Sequence, residues 1–241
     1  MTVLAGTGSA FADDAPYDAT DCYRIESIEG WTLRISDRFD DETPKLRDDV
    51  LAEIRRQLVA IVATVPAAAV DDLRKVEIWV EVNNPLFPCM CYHPDERWLK
   101  AHGVNPAKTG HVELANAANF LTWTRHQPWM VLHELAHGYH DRFIDGGYGN
   151  KSISAALSKA KDAGLYGEVD HVNGTKRPHY AATNPMEFFA EGTEAYFGKN
   201  DFYPFDRDEL QHYDSSTVTL LEKHWRVTPA ALRTETVEDS P

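Results

Sequence analysis

Residues Trp129 to His140 read WMVLHELAHGYH, and this stretch decides what kind of molecule the chain can be. Pro128 stands where a helix favours its first residue, Gly146-Gly147 ends the run, and the side chains between are apolar nearly all round. The pattern predicts an interior helix over Trp129–Phe143. At about 100° per residue, His133 and His137 lie about 40° apart around the axis and one turn apart along it, so both imidazoles reach one zinc ion. Glu134 projects beside them, placed for a water on that ion rather than for the ion itself. Left without a cation, two histidines and a glutamate on so apolar a helix would cost several kcal/mol.

Two ligands do not make a stable catalytic site, so a third histidine or carboxylate is expected elsewhere. His140 shares the face at i+7, but it sits roughly 10 Å from His133 along an unbroken helix, too far for a common ion. The better source is Asn184–Phe197, NPMEFFAEGTEAYF, with Asn184 as N-cap, Pro185 at the first helical position and Gly198 at the end. Glu187, Glu191 and Glu194 fall at i, i+4 and i+7, a stripe of carboxylates on an otherwise aromatic and apolar helix. Phe188, Phe189, Tyr196 and Phe197 argue for burial, where three acids repel unless something positive faces them. One carboxylate on the zinc and a second accepting a ring N–H from a zinc histidine satisfy two, leaving Glu194 free to face solvent.

Together, His133-Glu134-Leu-Ala-His137 and Asn184-Pro-Met-Glu187-Phe-Phe-Ala-Glu191 resemble the gluzincin metallopeptidases, in particular the branch of the anthrax lethal factor catalytic domain and Mlc titration factor. The resemblance spans roughly Trp129–Phe197 and implies an α+β, zincin-like metalloprotease fold, a small twisted sheet packed on the zinc-binding helix and on a second, glutamate-bearing helix. It implies one zinc ion on His133, His137 and Glu187, with Glu191 accepting the histidine N–H. It further implies Tyr180, seven residues before the ligand glutamate, as hydrogen-bond donor to the oxyanion. The branch assigns no shared role to Gly138-Tyr-His-Asp141 or to Glu194.

From the metal chemistry itself, zinc on His133, His137 and Glu187 would keep a fourth position for water and lower that water's pKa towards about 7. Glu134 takes the proton as the water attacks a carbonyl and then passes it to the leaving amine. Tyr180, or else His179, stabilises the oxyanion; without a partner in sequence, His179 reads otherwise as an exposed loop histidine. The expected function is a zinc metallopeptidase acting on a peptide or protein substrate. The alternatives are a non-catalytic zinc-binding interaction protein on the same fold and a zinc hydrolase of a non-peptide amide or ester.

Around this centre, Tyr23–Ile28 and Trp31–Ser36 alternate as a hairpin about Glu29-Gly30, and Thr43–Val65 follows helical spacing until Pro66. Val76–Val82 reads as a strand, the segment up to Cys91 as an irregular loop, and Pro94–His102 as a short helix. Gly110–Ala115 reads as a short strand, and the resemblance implies that it is the sheet's edge strand, along which a substrate would pair as an extra antiparallel strand. Ile153–Ala163, Glu209–Tyr213 and Thr217–Trp225 read as helices, and Val169–Val172 and Arg177–Tyr180 as flanks of a loop at Asn173-Gly174. One catalytic domain over 22–233 is expected, between a leader-like or disordered segment (1–21) and an acidic tail (234–241).

The 241 residues are 43% hydrophobic and 26% charged, which suits one globular domain and excludes disorder of the bulk. A net charge of −14 repels phosphate backbones and anionic lipid, so neither nucleic acid nor membrane insertion is expected, and no run approaches the length of a membrane span. Val3–Ala12 resembles the tail of a secretory signal without its basic start, leaving secreted or periplasmic and cytoplasmic locations open. Cys22, Cys89 and Cys91 permit one bridge, from Cys22 to either partner. Cys89-Met-Cys91-Tyr-His93 lacks the spacing of a zinc knuckle and reads as a packed or disulfide-linked loop. Phe202-Tyr-Pro-Phe205 reads as packing over the core, with the lining of a pocket as the alternative.

Overall fold

The computed structural model describes residues 16–39 and 43–228, so the leader-like Val3–Ala12 and the acidic tail lie outside the described residues. The chain opens with strands β1 (Tyr23–Ile28) and β2 (Trp31–Ser36), paired antiparallel from Tyr23 opposite Ser36 to Ile28 opposite Trp31. Glu29 and Gly30 both take positive φ, 51° and 87°, the tight two-residue turn whose twist matches that of the strands. Helix α1 (Pro44–Thr64) follows, burying Val50, Ile54, Leu58 and Ile61, then α2 (Ala67–Leu73). Strand β3 (Ile78–Val80), β4 (Met90–Tyr92), helix α3 (Glu96–Ala101) and β5 (Val112–Leu114) complete a five-stranded mixed sheet in the order β1-β2-β3-β5-β4.

β2, β3 and β5 run parallel and β4 returns antiparallel beside β5. The edge assignment expected for Gly110–Ala115 is therefore corrected: β5 has a neighbour on both sides, and β4 is the edge. The buried sequence Val112-Glu113-Leu114 suits an interior strand, whereas β4 is only three residues long in a stretch of cysteine, methionine and proline with no readable alternation.

Helices α4 (Ala117–Trp123) and α5 (Met130–Phe143) come next, then α6 (Lys151–Asp162) and a short ribbon of β6 (Val169–Asp170) and β7 (Lys176–Arg177). Helices α7 (Pro185–Phe197), α8 (Arg207–Tyr213) and α9 (Ser215–His224) close the described chain, making an α+β architecture with nine α-helices among the described residues. None of them is long and apolar enough to cross a membrane. Cys22, Cys89 and Cys91 are all free, so the bridge left open from the sequence is not formed.

Two devices position the site. A Cβ at Gly138 would come within 3.1 Å of Tyr92 and of Val76, so glycine lets α5 lie close against the sheet. Trp225, fully buried at the end of α9, stacks on Tyr139 of α5 at 4.2 Å and on Phe189 of α7 at 5.7 Å, and its indole N–H donates to Thr193 at 3.0 Å. Stacked rings with a satisfied donor clamp α5 and α7 together, and these two helices carry the site.

Candidate metal centre

On α5, His133 and His137 stand one turn apart as expected. On α7, Asn184 caps the helix by accepting from the backbone N–H groups of Met186 and Glu187, which sets Glu187 in the first turn facing α5. Their ligand atoms converge. His133 Nε2 lies 3.2 Å from His137 Nε2 and 3.2 Å from Glu187 Oε2, and His137 Nε2 lies 3.3 Å from the same oxygen. Three ligands about 2.0–2.1 Å from a tetrahedral zinc ion stand roughly 3.3–3.4 Å apart, so this triangle has the edges one ion requires. The donor set, two imidazoles and a carboxylate, is likewise one that zinc takes.

The electrostatics point to a positive charge at the same spot. Burial acts to raise the Glu187 carboxyl, but its hydrogen bonds with His133 and His137 outweigh this and hold it well below the usual carboxylate range. Burial acts against charge on His133, and the bonds to Glu187 and Glu194 override it, raising the ring well above its ordinary value. Both shifts come from the same close contacts between imidazole and carboxylate, where a metal ion would compete with the shared proton. His133, His137, Glu134, Glu187 and Tyr180 all line one cavity of about 520 Å³, together with the edge strand Met90–Tyr92. Tyr180 is 48% exposed on the turn before α7, and burial, then the nearby Glu187, raise its phenol.

Around the triangle the arrangement departs from expectation in two places. Glu194, not Glu191, meets the histidine N–H: its Oε1 lies 2.7 Å from His133 Nδ1, whereas Glu191 Oε1 stands at 3.8 Å. Both acids are only 2% exposed, so Glu194 does not face solvent. Glu191 is held instead by Asn200, whose side-chain N–H groups reach its backbone oxygen at 2.9 Å and its carboxylate at 2.8 Å. Burial, then each other's charge for Glu191, raises both carboxyls above the usual range. His179 is buried, 4% exposed, stacked on Phe202 at 4.9 Å, and pushed down by burial to about 3; it is not the loop histidine expected. His179 Nδ1 accepts from the Ala181 N–H at 3.1 Å.

Sequence reasoning missed Asn200, Asp201 and Tyr148, which shape the cavity or its back wall from loops with no motif. Asp201 Oδ2 lies 3.2 Å from His171 Nε2, while its other oxygen, Glu194 Oε2 and His137 Nδ1 are buried without a partner among the described residues. His140 is wholly buried against Tyr148 and Phe189, and neither of its ring nitrogens has a hydrogen-bond partner among the described residues.

The described residues contain three groups able to hold a metal ion: His133-His137-Glu187, His133-Glu191-Glu194 and Cys91-His93-Glu113. In the third, His93 Nε2 lies 2.6 Å from Glu113 Oε2, and the other Glu113 oxygen accepts from Lys108 at 2.7 Å and Asn84 at 2.9 Å. Its carboxylate is already saturated, which leaves open for an ion the two groups that share His133. No family model, curated protein or solved structure matches the chain.

Proposed function

We propose that this chain is a zinc-dependent metallopeptidase with a zincin-like fold, holding one zinc ion on His133, His137 and Glu187. The observation that carries the reading is the 3.2–3.3 Å triangle of ligand atoms opening, with Glu134, into a cavity bordered by a strand edge. When bound, zinc supplies a positive charge that acidifies a water and polarises a carbonyl.

The chain's own groups do the rest. Glu194 accepts the His133 Nδ1–H, which turns the His133 Nε2 lone pair towards the triangle and makes it a better donor. Glu134 removes a proton from the attacking water and delivers it to the leaving nitrogen, the step that amide cleavage needs and that mere metal storage does not. The Tyr180 hydroxyl donates to the carbonyl oxygen as charge builds on it. The outer edge of β4 has no strand partner among the described residues, and an extended peptide adding along it would run past the ligands. All three described methionines, Met90, Met130 and Met186, line the cavity, a pliable apolar wall suited to substrate side chains.

The test is metal content and cleavage of an unbiased peptide library by wild type and Glu134→Gln in parallel. We expect about one zinc in each, with hydrolysis lowered roughly a thousandfold or more in the variant. Zinc in both with equal cleavage, or no zinc in wild type, would overturn the reading.

A further inference from the structure

The mechanism above uses one phenol, Tyr180, and the cavity holds a second. Tyr148 follows α5 in the turn that Gly146 and Gly147 make, both at positive φ, 78° and 51°. A Cβ on Gly147 would lie 2.6 Å from the Asp141 carbonyl oxygen, so this turn has one close-packed path and Tyr148 one place to stand. Its ring meets His140 edge-on at 5.1 Å and Tyr92 of β4 at 6.5 Å, and Tyr92 is itself fixed by donating to Asp141 at 2.8 Å. A fully buried His140, which burial pushes down to about 4, serves here as a neutral aromatic wall rather than as a ligand.

The ring is held on two sides, no hydrogen bond from the Tyr148 hydroxyl is found among the described residues, and Tyr148 lines the same cavity as Glu134 and Glu187. Tyr148 is half-buried, with its ring packed and the residue facing the cavity, so its hydroxyl is free to serve a molecule bound there. Burial and the nearby carboxylates of Asp141, Glu134 and Glu187 raise the phenol above its ordinary value, so its hydroxyl keeps its proton. Tyr180 lines the same cavity, so both phenols share it with the same two carboxylates.

We propose that Tyr148 is a second catalytic phenol, donating a hydrogen bond to the oxygen of the attacked carbonyl and keeping its own proton throughout. The proposal rests on the peptidase reading. It is tested with Tyr148→Phe, Tyr180→Phe and the double variant, measuring zinc content, melting temperature, kcat and KM on a library-derived peptide, and the dissociation constant of a phosphonamidate dipeptide. That probe's tetrahedral anion imitates the attacked carbonyl. Tyr148→Phe is expected to keep its zinc and its melting temperature, to lose roughly 10- to 1,000-fold in kcat with KM little changed, and to bind the phosphonamidate correspondingly more weakly. The double variant should lose more than either single one.

A Tyr148→Phe protein that matches wild type in kcat and in phosphonamidate affinity overturns this inference and leaves the peptidase reading standing. So does one whose loss is accounted for by lost zinc or by a raised KM alone. A wild type that takes up zinc but neither cleaves peptides nor binds the phosphonamidate removes both.

Discussion

The molecule buries two clusters of the same kinds of side chain, and they are wired in opposite ways. Around Glu113 the charges close on themselves. Lys108 reaches Glu81 at 2.6 Å and Glu113 at 2.7 Å, Tyr23 donates to Glu81 at 2.6 Å, and His93 and Asn84 complete Glu113. Around His133 they do not close: Glu187, Glu191, Glu194 and Asp201 face histidines and one asparagine, and two of the buried carboxylate oxygens have no partner among the described residues. Both regions offer a metal-binding trio, but in the first a lysine already supplies the positive charge that an ion would bring. Buried acid alone therefore does not single out a candidate reactive centre; buried acid left short of positive charge is the more telling sign.

The largest effect expected from breaking this contrast is in stability. Lys108→Met leaves Glu81 and Glu113 buried without their cation, which costs about 3–5 kcal/mol. For a chain of this length the melting temperature should fall by roughly 6–20 °C, with zinc content of the folded protein unchanged. A thermal melt showing no shift would mean that the network is not closed through Lys108.

Acid opens the same cluster from the other side. Burial acts to raise Glu113, but the His93 hydrogen bond and Lys108 outweigh it and bring the carboxyl down to about 2. A depressed folded pKa gives stability that is present above the ordinary carboxylate value near 4.5 and is lost as pH falls from there towards about 2. The contribution is on the order of 3 kcal/mol. Unfolding free energy followed between pH 5 and 2 should drop in wild type more steeply than in Glu113→Gln, and parallel curves would contradict the assignment.

At the open cluster the sharper test is between two neighbouring acids. Glu194→Gln removes the acceptor of the His133 N–H and should weaken zinc binding about 10- to 100-fold, measured by chelator competition. Glu191→Gln, whose carboxylate stands 3.8 Å from that nitrogen, should weaken it by less. The reverse order would return the role to Glu191.

That pair also shows how far sequence reaches. The stripe Glu187, Glu191, Glu194 was legible from spacing, as were the two histidines, because a helix converts separation into direction. At about 100° per residue, however, Glu191 and Glu194 lie about 40° to one side of Glu187 and about 20° to the other. Which of them meets His133 depends on how α7 is rotated against α5, and that rotation is fixed by rings such as Phe189 and Trp225, the latter 31 residues beyond Glu194. His179 was misread for the same reason, since its burial comes from Phe202. The hairpin and the long helices carry enough period to be read; β4, in three residues, does not.

The smallest effect expected is at Cys91, and it decides between the two trios directly. Cys91 Sγ lies 3.6 Å from His93 Nε2 and the residue borders the cavity that His133, His137 and Glu187 line, so by position alone a thiolate could capture an ion there. Burial, then the charges of Glu113 and Glu134, raise the thiol far above its ordinary value, so it stays protonated and ligates poorly. Cys91→Ser should thus change stability by less than about 1 kcal/mol and leave one ion per chain. Loading wild type with cobalt(II) gives the spectroscopic counterpart: two imidazoles and a carboxylate produce no thiolate-to-metal absorption, and a cysteine ligand does. An intense near-ultraviolet band that vanishes in Cys91→Ser would move the ion to the closed cluster. That would undo the distinction between a network that satisfies itself and one that waits for a cation.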